Sequence, residues 1–456
     1  MRKAITFYVL RMTSLSARPT LALRRSPQTR LTSIYEAALM TTRILYIDLA
    51  PQPGGSIISL AHLVGGLDRS RWQPMVALST LNAFAGFEAM GVDVARVPTP
   101  LWERLAAGNA PRAGEGPQAK QRGGLGEFMR SGQVRARIWH WGGDVRRWQR
   151  DILPTARALR PIIRQFRPQL IHLNVDIPLV QPGALAARLT RTPFIAHSRS
   201  FILPDALDRR LLVPALQGVI FISQAVARTQ LQALSPPPPH RVIPNPVDLR
   251  AFQQPVDANA VRSEFDIPPD APLIGMVGRI TPWKGQHVFI EALARLRQQF
   301  PRVHGLILGE TGLTAQDAAY QQELMARSRA LGLEASLHWA GHRTDIPRIL
   351  PALDALAHCS VTPEPFGRVI IEGMAAGAPV VASDAGGASE IIEDGVDGLL
   401  TPPGDANALA AALARLLTDA RLRTQIIENG RRTVAARYTV EKHVQAVTEF
   451  YGEVLG

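Results

Sequence analysis

Pro363-Glu364-Pro365-Phe366-Gly367-Arg368-Val369-Ile370-Ile371-Glu372-Gly373 is the stretch on which the reading of this 456-residue chain turns. Two carboxylates stand eight residues apart, separated by a Phe-Gly turn and an apolar run that suits a helix. The first N–H groups of a helix have no partner within it and carry partial positive charge, so a helix starting after Gly367 offers a cradle for an anion. Glu364, before the turn, can accept bonds from hydroxyl groups. Glu372, within the first two helical turns, can take a second pair of hydroxyls. A surface loop leading into an ordinary buried helix accounts for Val369, Ile370 and Met374. It does not account for two acids around the turn. The pattern suits a ligand with hydroxyls at both ends and phosphate between them, which is the description of a sugar nucleotide.

Outward from this motif the chain alternates short apolar runs with amphipathic ones, the βαβα signature of a doubly wound parallel sheet. In the second half, strands are predicted at 273–277, 305–308, 336–339, 355–358, 380–382 and 398–400. Helices are predicted at 286–299, 315–331, 368–376, 407–417 and 422–437. The first of these strands runs into Gly278-Arg279-Ile280-Thr281-Pro282-Trp283-Lys284-Gly285. Ligands of such sheets bind beyond the carboxyl ends of the strands, so Arg279 and Lys284 are placed to neutralise a pyrophosphate, one as a planar fork and the other as a point charge. Spaced glycines and a Lys-Ser/Thr pair are missing, so this is not a P-loop. No Asp-x-Asp pair or metal-ligand spacing suggests a metal site.

The first half repeats the rhythm, with strands predicted at 44–48, 75–78, 170–173, 194–197 and 219–222. Gly54-Gly55 follows the first strand and precedes a helix predicted at 57–67, where glycine lets a backbone approach a ligand or simply makes a tight turn. His197 ends a strand, in the position of a group that can orient a substrate or assist a proton. His172, on a neighbouring strand, reads as a supporting or core residue. Ser235-Pro236-Pro237-Pro238-Pro239 is a stiff spacer near a domain boundary.

Composition sets limits. Apolar residues make up 46% and charged residues 20%, ordinary for a globular protein. The length calls for two or three domains. No apolar run is long enough to span a bilayer. Cys359 is the only cysteine, so no intramolecular disulfide is possible and a reducing, cytoplasmic setting is expected. The net charge of +13 favours anionic partners. No nucleic-acid-binding motif accompanies it. Residues 1–39 hold seven Lys or Arg and a single acid, Glu36, and read as a basic extension that is disordered or absent from the mature protein. Residues 101–160 carry twelve Lys or Arg against five acids, and four of the seven tryptophans. Trp with Arg suits the inner face of an anionic membrane, or else a face packed on the core.

Taken together, the second half resembles the nucleotide-binding domain of glycosyltransferase family 4. The resemblance runs through 278–284, Gly341-His342-Arg343-Thr344-Asp345-Ile346, the Glu364/Glu372 motif, 375–382, Gly386-Gly387-Ala388-Ser389-Glu390 and 395–400. The first half is similar to the family's acceptor domain more loosely, through Gly54-Gly55, 171–174 and the strand ending at His197. The resemblance implies a GT-B α/β fold: two Rossmann-like doubly wound domains facing across a cleft, with a C-terminal helix crossing back to the first. The expected division is 1–40 extension, 41–235 plus 439–456 acceptor domain, 236–242 linker and 243–438 nucleotide-sugar domain.

The resemblance also implies roles. Arg279 and Lys284 bind the donor phosphates. Glu364 and His197 face the donor sugar. Backbone amides of Phe366, Gly367, Arg368 and Val369 meet sugar hydroxyls and the distal phosphate. Glu372 holds the ribose, and Arg343 and Ile346 border the base. The reaction it implies is metal-independent, retaining transfer from a UDP- or GDP-sugar to a hydroxyl of a carbohydrate or lipid-linked acceptor, in bacterial surface polysaccharide or lipopolysaccharide assembly. No cofactor is expected. The alternatives are a non-catalytic sugar-nucleotide-binding scaffold at the membrane and a sugar-nucleotide epimerase of the same fold.

Overall fold

The computed structural model describes residues 41–106, 146–311 and 315–456. The proposed N-terminal extension, and Trp139 and Trp141 of the basic segment, lie outside the described residues.

The described chain forms two parallel sheets. The first contains β1 (Thr42–Asp48), β2 (Trp72–Ser79), β3 (Asp93–Val97), β4 (Leu170–Leu173), β5 (Phe194–Ser198), β6 (Gly218–Phe221) and β7 (His240–Val242), in the order β3-β2-β1-β4-β5-β6-β7. The second contains β8 (Leu273–Val277), β9 (His304–Leu308), β10 (Leu337–Gly341), β11 (Ala355–His358), β12 (Val380–Ser383) and β13 (Leu399–Thr401), in the order β10-β9-β8-β11-β12-β13. In both, the strand order reverses direction beside the first strand: between β1 and β4, and between β8 and β11. The paired strands there are parallel, with Ile47 opposite Leu173 and Gly275 opposite Leu356. A doubly wound sheet leaves its ligand crevice at such a switch point, outside the carboxyl ends of the strands.

The central strands are buried on both faces, which is why they read as unbroken apolar runs and not as alternation. Ile44, Leu45, Tyr46 and Ile47 are all fully buried. In the second sheet Ile274, Met276 and Ile307 pack with Phe289 and Leu293 of the helix Gln286–Gln299 and with Leu409 and Leu413 of the helix Ala406–Thr418. Each such side chain contributes roughly 1.5–3 kcal/mol of burial.

Eleven of the thirteen strands are those expected from the sequence; β3 and β7 are not. Both lie at a sheet edge. β3 reads Asp-Val-Ala-Arg-Val with only its last residue buried, and β7 has three residues. Edge strands are short and polar, so their pattern is weak. Two long helices were also not expected, Leu153–Phe166 and Ile177–Thr190. Each carries an internal proline, Pro161 and Pro182, which argues against a helix by removing an N–H. Ahead of the first, Trp148–Ile152 is a π-turn.

By compactness the chain divides into two units. The first takes the sequence to Ile220, then Gln230–Arg241 and Thr448–Gly456; the second takes Phe221–Thr229 and Val242–Val447. The final helix, Val440–Leu455, therefore ends in the first unit. There Phe450 and Tyr451 are almost fully buried. The Phe450 ring lies where a side chain on Gly218 would stand, and Tyr451 meets Trp72 edge-on at 5.5 Å. No helix among the described residues is long and apolar enough to cross a membrane.

Candidate functional site

At the switch point of the second sheet, the loop after β8 and the loop after β11 bring Lys284 and Glu364 together. Lys284 Nζ donates to Glu364 Oε2 at 2.7 Å, and the two side chains are 17% and 10% exposed. Ser360 Oγ donates to the same oxygen at 2.8 Å, and His358 Nε2 lies 3.2 Å from it. A carboxylate only accepts, so His358 is protonated at Nε2. Burial alone pushes the Glu364 carboxyl up. The charge of Lys284 and the bonds from His358 and Lys284 outweigh it, and the group is held well below the ordinary carboxylate range. Lys284 also sits 4.3 Å from the centre of the Trp283 ring.

Backbone geometry fixes both partners. Gly285, with φ +75°, ends the turn Pro282–Lys284, and a Cβ there would stand 2.0 Å from the Cys359 carbonyl oxygen. Only glycine lets the Lys284 loop lie so close to the β11 loop. On the other side Gly386, at φ +68°, packs on the Glu364 backbone, and Gly387 N–H donates to Glu364 O at 2.7 Å. Ser223 Oγ donates to Pro365 O at 2.7 Å. Glu390, at the end of the same glycine motif, accepts from the N–H groups of Gln224 and Ala225 and so caps the helix Gln224–Leu231.

The helix Arg368–Ala376 starts where the sequence places it, after Gly367 at φ +99°. Its first N–H groups belong to Arg368 and Val369, with Phe366 buried just before them. Glu372 takes a bond from Arg368 Nη2 at 2.8 Å. Burial raises its carboxyl and the Arg368 charge partly offsets this. Arg368 thus supplies a side-chain partner as well as an amide.

Arg343 is bound within a network. It grips Asp345 with two bonds of 2.7 Å and reaches Glu264 at 2.6 Å. These bonds hold Asp345 down to about 2 and push Arg343 up. Ile346 opens the short helix that follows. Arg279 is exposed, and among the described residues its guanidinium makes no hydrogen bond or ion pair. Among the described residues no group of three or more His, Cys, Asp or Glu is arranged to hold a metal.

Gly54, Gly55 and His197 belong to the first unit. Gly54 caps the helix Gly55–Gly66 with an extended backbone, and a Cβ there would meet nothing within 4 Å. The fold itself therefore does not demand glycine at this position. His197 is fully buried at the end of β5, with Nδ1 at 3.2 Å from both His172 Nε2 and Arg199 Nη2. At the β1–β4 switch point Asn174 Nδ2 donates to Asp48 Oδ2 at 2.7 Å.

Sequence reasoning singled out neither His358 nor Ser360 as site residues. Their signal was present: both lie where β11, a central strand, leaves the sheet. The same signal applies to Asn174 and Arg199, which lie just beyond the ends of β4 and β5.

The chain is similar to known proteins over most of its length. Residues 80–251 match the family model described as Glycosyltransferase Family 4, and residues 257–433 that described as Glycosyl transferases group 1. The chain is 34% identical to the lipopolysaccharide core biosynthesis glycosyltransferase LpsE of Rhizobium meliloti, over 42% of this chain and 52% of that protein. It is 29% identical to the lipopolysaccharide core biosynthesis mannosyltransferase LpcC of Rhizobium leguminosarum bv. viciae, over 60% of this chain and 75% of that protein. The chain thus spans about half the length of LpsE and three quarters of LpcC. Among solved structures, HepE of Anabaena, crystallised with UDP and glucose, is 27% identical with a TM-score of 0.71, covering 90% of this chain and 99% of that one. Two matched domain models in series and two parallel doubly wound sheets agree with a GT-B α/β fold.

Proposed function

We propose that the protein transfers a sugar, with retention of anomeric configuration, from a nucleoside-diphosphate sugar to a hydroxyl of a carbohydrate or lipid-linked acceptor. The observation that carries this is the Lys284–Glu364 pair at the β8–β11 switch point, beside the N-terminus of the helix Arg368–Ala376. Cation, carboxylate and a helix N-terminus lie together where a doubly wound sheet receives its ligand.

In this proposal Arg279 and Lys284 stabilise negative charge growing on the departing diphosphate. Glu364 accepts from sugar hydroxyls, and its depressed proton affinity suits an acceptor and disqualifies it as a general acid. The amides of Phe366–Val369 hold the distal phosphate. Glu372 takes the ribose hydroxyls, exchanging its bond from Arg368. The loop at Arg343 and Ile346 borders the base, with Arg343 stiffening the loop through Asp345 and Glu264. Gly54-Gly55, after β1, and His197, near the end of β5, are the substrate-binding groups of the first unit. With no protein nucleophile assigned, the acceptor attacks from the face the leaving group departs, and no metal is needed. HepE, as crystallised with UDP-glucose, supports a UDP-sugar as the first donor to test. LpsE and LpcC support an acceptor in lipopolysaccharide or surface polysaccharide assembly.

The test is a thermal-shift screen of UDP-, GDP- and ADP-sugars followed by turnover with the best binder. A true donor at a hundredfold excess over its Kd adds about 2.7 kcal/mol. Glu364→Ala and Lys284→Ala are expected to abolish transfer while leaving the fold intact. Near-normal turnover in either variant, or no stabilisation by any sugar nucleotide, overturns the proposal.

A further inference from the structure

Behind His197 the first unit holds a buried row of polar side chains. His172 Nε2 lies 3.2 Å from His197 Nδ1, the Tyr451 hydroxyl lies 2.5 Å from His172 Nδ1, and the Tyr46 and Tyr451 hydroxyl oxygens are 3.2 Å apart. All four side chains are fully buried. They come from β1, β4, β5 and the last helix, and His172 and Tyr451 are 279 residues apart in the chain. Imidazoles and hydroxyls are unfavourable in a core unless they pair. A core built only for packing would take phenylalanine at 451.

We propose that His172 and Tyr451 are positioning residues that hold the His197 ring in one orientation and one tautomer, with its proton on Nε2. His197 then meets its substrate as a hydrogen-bond donor, a conclusion that rests on the proposed glycosyl transfer only for the identity of that substrate.

The tautomer follows from the direction in which each group can donate. A guanidinium has donors and no acceptor. Arg199 Nη2, at 3.2 Å, therefore makes His197 Nδ1 an acceptor. Arg199 is itself anchored, with Nε on Asn174 O at 2.7 Å and Nη2 on Asn174 Oδ1 at 2.8 Å. His172 Nε2 must then supply the second proton aimed at Nδ1, which leaves His172 Nδ1 to accept. Tyr451 has one hydroxyl proton and is placed to donate it either to the Tyr46 hydroxyl oxygen at 3.2 Å or to His172 Nδ1 at 2.5 Å. The 2.5 Å contact to a nitrogen lone pair is far shorter than the 3.2 Å contact to Tyr46 and takes it. A neutral imidazole whose Nδ1 accepts carries its proton on Nε2. His197 as a proton acceptor at Nε2 would need an N–H at Nδ1, set against the N–H of Arg199. The part allowed to His197 on sequence grounds, assisting proton movement from an acceptor hydroxyl, is thereby replaced by donation from Nε2.

Two experiments test this. Long-range ¹H–¹⁵N correlation of the histidine rings, with His197 assigned by His197→Ala, reads the tautomer in the unaltered protein. The expected result is a protonated Nε2; a proton on Nδ1 overturns the proposal. Tyr451→Phe keeps the ring and removes the hydroxyl. Its kcat is expected to fall about tenfold with donor KM within about twofold, and the loss is expected to vanish in a His197→Ala background. Wild-type kcat in Tyr451→Phe, or the same loss without His197, overturns it too. If the unaltered protein transfers no sugar, the proposed function fails while the ring spectrum still decides the tautomer.

Discussion

Replacing Lys284 by Met tests the centre of the site directly. At 2.7 Å and an effective dielectric of about 20, the Lys284–Glu364 attraction is about 6 kcal/mol before desolvation is subtracted. Both side chains are less than one-fifth exposed, so removing one strands the other. Breaking a buried pair in this way costs about 3–5 kcal/mol. Lys284→Met and Glu364→Gln are each expected to lose about 3 kcal/mol, and the double variant to lose less than their sum by at least about 1.5 kcal/mol. Urea unfolding is followed by far-ultraviolet circular dichroism.

The pH dependence of the same variant has a definite sign. In the wild type the folded Glu364 carboxyl lies below its ordinary value, so its contribution is complete above about 4.5 and is lost as pH falls through the folded value. Without Lys284 the upward push of burial is less opposed, and acidification relieves the stranded charge. The gap between Lys284→Met and wild type should therefore narrow from pH 7 toward pH 4. Additive single losses to within about 0.5 kcal/mol, or a gap that does not change with pH, would refute the reasoning.

Three further outcomes are expected. Gly285→Ala, which sets a methyl 2.0 Å from the Cys359 carbonyl oxygen at φ +75°, should cost more than about 1 kcal/mol and weaken UDP binding, read by thermal unfolding with and without UDP; full stability would contradict the close approach. Burial, with Asp205 nearby, pushes Asp208 up to about 6 from 3.8, so its contribution is present below about 4 and is lost as pH rises through about 6. That is worth up to about 3 kcal/mol to the first unit, and the stability of wild type relative to Asp208→Asn should fall across that range in urea titrations, with parallel profiles counting against it. Cys359 is buried and its thiol is pushed up by desolvation, so a thiol reagent should label the native protein only as fast as it unfolds; rapid labelling would show the site open.

The parts of the site read most directly from the sequence are those whose chemistry is local. Gly367 followed by Arg368, Val369 and Ile370 announces a helix start, and the helix begins there. Lys284 lies just past a strand of five apolar residues, and strand ends are where parallel sheets bind. Elements whose stability comes from elsewhere were harder to see. The helices Leu153–Phe166 and Ile177–Thr190 tolerate Pro161 and Pro182 because tertiary burial of Leu159, Ile163, Ala184 and Ala187 outweighs the lost bonds. β3 and β7 have little pattern because an edge strand needs little.

The sequence by itself determined the two doubly wound sheets, the Glu364/Glu372 motif and the cations that accompany it. These rest on periodicity and on residues close together in the chain. Only the tertiary structure decided which groups share a proton or a charge. Lys284 and Glu364 are 80 residues apart, and His172 and Tyr451 are 279 apart. Hydrogen bonds and ion pairs act over about 3 Å, a separation that sequence spacing does not encode and that strand order and helix packing alone set. So the carboxylate at 364 was legible as a candidate, while its low proton affinity, its neighbours His358 and Ser360, and the partners of the His197 ring were not.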